Sequence, residues 1–368
     1  MSFRIRALSL LGASSLLAVA CSGGSSTSVD ADAQAAAQTT TTVEIDPMPS
    51  ASSSTTEATT TTAAEVLDTT STTVPAGPFA PFTGLPVEEE LTRPAVVIKI
   101  DNHPNARPQW GINNADIVYE EVVEGNITRF AAVFHSVDAS PVGPVRSART
   151  SDFDLLTDKN TPLFANSGGN PTVLSMLRSV DAVNVNVNAL PNLYYRERSR
   201  RAPHNLMTST ADLISAKGSD GGTPPPMFQY RVDGESLPES AVEISGVDIA
   251  YGGHNVSYDW DPELGGWART QNGTPHTDVD GVRVAPPNVV VQIISYGRSP
   301  ADASSPEAIL IGEGDAMILT DGHLIEARWS RPTKSDVAQF TTLDGQPVEL
   351  TPGRTWVALP RVGQVTTR

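Results

Sequence analysis

DIVYEEVVEGNITRFAAVFH, residues 116–135, is the stretch that decides the fold. Asp116 to Val123 and Ile127 to His135 are short and rich in β-branched and aromatic residues, so each reads as a strand. Glu124-Gly125-Asn126 between them carries hairpin turn chemistry. Side chains alternate between faces along a strand, so Glu120 and Glu124 are expected to share a face with Val118 and Val122. A carboxylate among apolar neighbours has a raised pKa unless a cation compensates. Arg129, just past the turn, is the expected cation.

Upstream, Ala95 to Ile100 (AVVIKI) reads as a buried strand. It feeds KIDNHPNARPQWG, residues 99–111, where Asp101, Asn102, His103 and Arg107 follow the strand end in a row. Pro104 and Pro108 predict a rigid loop. Asp101, His103, Glu120 and Glu124 are the candidate acid/base groups; an ion-pair network on a half-buried sheet fits them equally. Downstream, Ala148, Phe153, Leu155 and Leu156 predict an amphipathic helix over 146–158. Helical spacing would put Arg146 and Arg149 on one face, with Asp152 and Asp154 as local partners.

Leu163 to Asn166 reads as a brief strand. The turn that follows holds Gly168 and Gly169, then Asn170 as helix N-cap and Pro171 at the first helical position. Such a turn offers backbone N–H groups to an anion, although a plain tight turn fits as well. No Gly-Lys-Ser/Thr follows, so it is not a Walker A loop. Val183 to Leu190 predicts a strand and Asn205 to Ala216 a helix. Between them YYRERSRRAPHN, residues 194–205, is a local basic cluster. Guanidinium groups grip phosphate and carboxylate with two parallel hydrogen bonds. The candidate ligand contacts are therefore Arg107, Arg129, Arg146, Arg149, Gly168, Gly169, Arg198, Arg201 and His204.

Gly218 to Pro226 marks a break. Beyond it the pattern is mostly β: 247–251, 255–260, 266–270, 288–296, 308–320, 323–329 and 353–359. Asp321-Gly322 is a hairpin signal.

The N-terminus is different. Arg4 and Arg6 precede an apolar stretch from Ala7 to Ala20, which suits a secretory signal and is too short to span a bilayer. Ala18-Val19-Ala20 fits ordinary signal peptidase. Leu17 to Cys21 resembles a relaxed bacterial lipobox, with Ala18 where Leu is usual. Cys21 is the single cysteine, so the chain has no intramolecular disulfide. Lipidation of Cys21 at that boundary is the expectation. Residues 22–78 are Ser, Thr, Ala and acids, with no Lys or Arg before Arg93, and read as a disordered tether. A net charge of −17 and export both exclude nucleic acid as a partner.

Standard catalytic signatures are absent. There is no Gly-x-Ser-x-Gly, no His-Glu-x-x-His, and the 6 His are scattered, so neither metal nor cofactor is expected.

RPAVVIKIDNHPNARPQWGINNADIVYEEVVEGNITRF, VGPVRSARTSD and RAPHNL resemble the hallmark segments of the YerB-like lipoproteins. NVVVQI, GEGDAMILTDGHLIEARWSR and LTPGRTWVAL extend the resemblance to the C-terminal part. These are exported bacterial proteins with N- and C-terminal domains of unknown function. The resemblance implies an α+β N-terminal part and a β-rich C-terminal part, and brings no known reaction or ligand.

The expected organisation is a signal peptide (1–20), a tether with lipidated Cys21 (21–78), a mixed α/β N-terminal domain (79–218), a linker (219–245) and a β-rich C-terminal domain (246–368). The leading expectation is a lipoprotein on the outer face of a bacterial membrane that binds an anionic wall polymer or muropeptide. The rivals are a carboxylate-dependent envelope hydrolase and a scaffold lipoprotein.

Overall fold

The computed structural model describes residues 77–232 and 234–368. The signal, Cys21 and nearly all of the tether lie outside the described residues.

The predicted hairpin forms and becomes the middle of a much larger sheet. β1 (Val96–Asp101), β2 (Ile117–Val122) and β3 (Thr128–Phe134) are buried at every position. Both faces are therefore covered, which is why their sequences run apolar with little alternation. β3 lies antiparallel between β1 and β2, and β4 (Leu163–Ala165) and β5 (Val183–Asn184) extend the sheet beyond β1 in parallel. On the other side, β2 pairs in parallel with Thr355–Ala358, from the far end of the chain. Asn288–Gln292, Gly312–Thr320, His323–Arg331 and Gln339–Thr342 continue outward, and Val242–Glu243 completes an eleven-stranded sheet. The two halves distinguished in the sequence thus share one sheet.

The period of two sorts the side chains. Ile98, Ile100, Val118, Val122 and Phe130 face one core, which is closed by a second, five-stranded sheet. That antiparallel sheet contains Gly246–Ala250, Asn255–Asp261 and Gly266–Gln271. Val97, Ile117, Tyr119, Ala131 and Val133 face the opposite core, with Phe153, Leu155 and Leu156. The fold is α+β, with few helices and many strands.

Helices α1 (Ser151–Leu156), α2 (Pro171–Leu177) and α3 (Thr210–Lys217) are short. Asn170 caps α2 through its side chain, which accepts the Val173 N–H at 2.8 Å. Three expectations need correction. Residues 146–150 are not helical: the Arg146 N–H donates to the Lys99 carbonyl at 2.7 Å, and the Ala148 N–H to the Gly168 carbonyl at 2.8 Å. These bonds strap the segment to neighbouring chain before α1 can begin. The strand expected over 183–190 stops at Asn184, where the Asn186 side chain accepts the N–H groups of Asn188 and Ala189 and turns the chain. The helix expected from Asn205 starts at Thr210, because Leu206 and Met207 pair with Arg196 and Tyr195. Within the expected linker, Gln229–Tyr230 pairs with Glu349–Leu350.

Candidate functional site

The site begins as one rung of the sheet. Asp101 of β1, Arg129 of β3 and Glu121 of β2 are direct neighbours in register, on the α1 side. Asp101 is 1% exposed. Its Oδ2 lies 2.7 Å from His204 Nδ1 and 3.1 Å from Arg146 Nε, and its Oδ1 accepts the His103 N–H at 3.0 Å. The Arg146 contact is an ion pair, too poorly aligned for a hydrogen bond.

The His204 ring stacks on His103 with centroids 4.3 Å apart. His103 Nδ1 accepts the Asn105 N–H at 3.1 Å, so the His103 proton sits on Nε2. Burial first, then neighbouring His204, lowers the His103 pKa. Donation from His204 Nδ1 to Asp101 leaves the His204 Nε2 lone pair free. That atom has no hydrogen-bond partner among the described residues, and the side chain is 14% exposed.

Three guanidinium groups gather beside this pair. Arg129 is 5% exposed. Burial, then Arg149 and Arg146, lower its pKa to about 10. Its Nε is buried without a partner. Arg149 grips Glu124 with Nε and Nη2, at 2.5 and 2.9 Å. Arg146 pairs with Asp101, Arg149 with Glu124, and Arg129 stands between Asp101 and Glu121 on its rung.

The structure separates the other candidates. Glu120 does not join them, because β2 turns it to the opposite face and buries it completely. Its carboxylate takes Arg269 Nη2 at 2.7 Å, Thr128 Oγ1 at 2.8 Å, Trp356 Nε1 at 3.0 Å and Tyr258 OH at 3.3 Å. Burial pushes Glu120 up, but Arg269, His254 and Thr128 outweigh it and hold the carboxyl at about 2. A saturated, inaccessible carboxylate cannot serve as a general acid or base. The expected cation for it, Arg129, lies on the other face; Arg269 takes that role.

Glu124 is not on the strand face either. It sits in the turn, and although burial raises its pKa, Arg149 and Ser305 pull it down to about 2. Asp152 and Asp154, expected as partners of the arginines, instead reach Lys99 and Lys334.

The Gly168 N–H is taken by Asn166 Oδ1 at 3.0 Å and the Val173 N–H by the Asn170 cap, so the turn has fewer donors to offer an anion than its sequence suggests. A Cβ on Gly169 would stand 3.3 Å from Val173 and 3.5 Å from the Ala148 carbonyl oxygen. Arg107 points away, into a pocket with Gln271, Thr274 and His276. Arg198 and Arg201 are exposed and make no ion pair among the described residues. Arg200, not singled out from sequence, stacks on Trp110 at 4.1 Å and donates to the Ala106 and Pro108 carbonyls at 2.6 Å. It staples the two loops that carry His103 and His204.

Sequence reasoning also missed the partners of Glu120. His276 is held between Arg269 and Gln109, each at 2.9 Å. No periodic signal links these residues to Glu120. Among the described residues no three His, Cys, Asp or Glu side chains are placed to hold a metal ion together.

Two family models match the chain: Protein of unknown function (DUF3048) N-terminal domain over residues 82–223, and the corresponding C-terminal domain over 247–357. The chain is 33% identical to the YerB protein of Bacillus subtilis (strain 168), named as a lipoprotein, across 76% of this chain and 85% of that one. The crystal structure of YerB superposes with a TM-score of 0.69 at 29% identity, covering 79% of this chain and 99% of that one. The chain therefore belongs to the DUF3048 family and is a homologue of YerB.

Proposed function

We propose that this protein is a lipid-anchored, extracytoplasmic binding protein that captures an anionic component of the cell envelope. One observation carries the reading: Arg129, Arg146 and Arg149 gather around the end of β1, and the buried Arg129 Nε is unpartnered. A phosphate or carboxylate would give these groups a further acceptor, and guanidinium binds either with two parallel hydrogen bonds. Arg198 and Arg201, both exposed, and His204 would extend the contact for a longer anionic chain. Cys21, carrying lipid, and the Ser/Thr-rich tether would hold the site at the membrane surface within reach of wall polymer.

The test is equilibrium binding of the purified protein to poly(glycerol phosphate) and to muropeptides with free carboxylates. Arg129→Met with Arg146→Gln should abolish binding to one of them. Equal affinity in wild type and double variant removes the reading.

A second reading is hydrolysis of the bound envelope component, favoured by the 2.7 Å contact between His204 and Asp101. A histidine oriented by a carboxylate, with Nε2 free, has the form of a general base. This places the acid/base role on His204 and Asp101 in place of Glu120 and Glu124. Release of soluble fragments from wall material, lost in His204→Gln, would support it.

A further inference from the structure

A second charged cluster lies on the α1 side of the sheet, beside the arginines. Lys99 Nζ donates to Glu121 Oε1 and lies 2.7 Å from Asp152 Oδ1. The three side chains are 0%, 0% and 1% exposed. One ammonium therefore faces two carboxylates in a dry core beside Val97, Tyr119 and Phe153. Such burial is costly for any charge that lacks a partner. The two carboxyl groups differ. Asp152 Oδ2 is held by the Arg149 N–H at 2.7 Å. Glu121 Oε2 is buried with no partner, free to carry a proton. Burial, opposed by Lys99 and reinforced by Asp152, raises the Glu121 pKa above its ordinary value.

We propose that Lys99, Glu121 and Asp152 form a self-modification site that joins Lys99 to Asp152 through an amide bond. Lys99 gives one proton to Glu121, which passes it to Asp152 Oδ1. The neutral amine then attacks Asp152 Cγ, and a C–N bond forms. The Arg149 N–H steadies the negative charge on Oδ2, as an oxyanion donor does. Glu121 next carries a second proton from the nitrogen to Oδ1. The Cγ–Oδ1 bond breaks and Oδ1 leaves as water. An ammonium and a carboxylate become an amide and water, so charge balances and no oxidant or co-reactant enters. The bond would pin the strap 146–150, which carries Arg146 and Arg149, to β1. It would give a chain with a single cysteine a covalent brace that no reductant can open.

The test is peptide mapping of the purified full chain by mass spectrometry after trypsin digestion. The expected result is no cleavage after Lys99, and a branched peptide joining the Lys99 segment to residues 150–159 at their summed mass less one water. Glu121→Gln removes the proton carrier and should return both peptides unlinked. Asp152→Asn should still link, with loss of ammonia in place of water. Free 150–159 peptide and normal cleavage after Lys99 in the wild type overturn the proposal, as does a branch through Glu121. The wild-type map decides the matter even if a variant fails to fold.

Discussion

His204 Nδ1 lies 2.7 Å from Asp101 Oδ2 across 103 positions of sequence. The contact turns two loop residues into one unit and fixes which imidazole nitrogen faces outward. Asp101→Asn removes the charge and one of the two acceptor oxygens. Nitrogen NMR should then show His204 leaving its single tautomer for a mixture. Loss of a charge-assisted bond should lower unfolding stability by about 1.5–3 kcal/mol in a denaturant titration.

Arg129 is the buried member of the arginine group. Arg129→Met should weaken binding of an envelope anion by about 10- to 100-fold, the equivalent of one charge-assisted hydrogen bond of about 1.5–3 kcal/mol. Calorimetry at two ionic strengths checks it, and the salt dependence should become shallower because one charge is gone.

Glu120 makes a pH prediction. Its carboxyl is depressed from 4.5 to about 2 in the folded chain. A depressed carboxyl stabilises the fold fully above its unfolded pKa, and that contribution is lost as pH falls through the folded one. Wild type should therefore lose stability between pH 4.5 and about 2 more steeply than Glu120→Gln. The variant should be less stable at neutral pH by about 3 kcal/mol. Thermal unfolding across that range measures the difference; parallel curves for the two proteins would contradict it.

Lys99→Met strands two buried carboxylates and should cost about 3–5 kcal/mol. Adding Glu121→Leu removes one of them and should recover a large part of the loss. Denaturant midpoints of the single and double variants test this.

Gly253 lies against the turn that joins β2 to β3. A Cβ there would stand 2.2 Å from the Asn126 carbonyl oxygen. Gly253→Ala should cost about 1–3 kcal/mol, the range for overpacking. It should also displace His254 from Thr128, which NMR of the His254 ring would report.

The strands of this protein were legible because their signal is local. AVVIKI and the two arms of 116–135 carry apolar runs of strand length, and Asn170-Pro171 spells a helix start whatever surrounds it. The asymmetry between Glu120 and Glu121 was half legible: alternation says that they face opposite cores, but not what waits in each. The helix expected over 146–158 shows the opposite case. Its apolar spacing is real, yet the Lys99 and Gly168 carbonyls claim the N–H groups of Arg146 and Ala148 first.

The sequence by itself determined the family, the α+β class and the row of polar groups that follows β1, because these reside in short contiguous patterns. Tertiary structure alone decided that Arg269 serves Glu120, that Lys99 meets Asp152, and that His204 closes on Asp101. Each of these contacts joins segments far apart in the chain. A charge carries no periodicity that names its partner, so pairing is set by strand order, face and register once the sheet has formed.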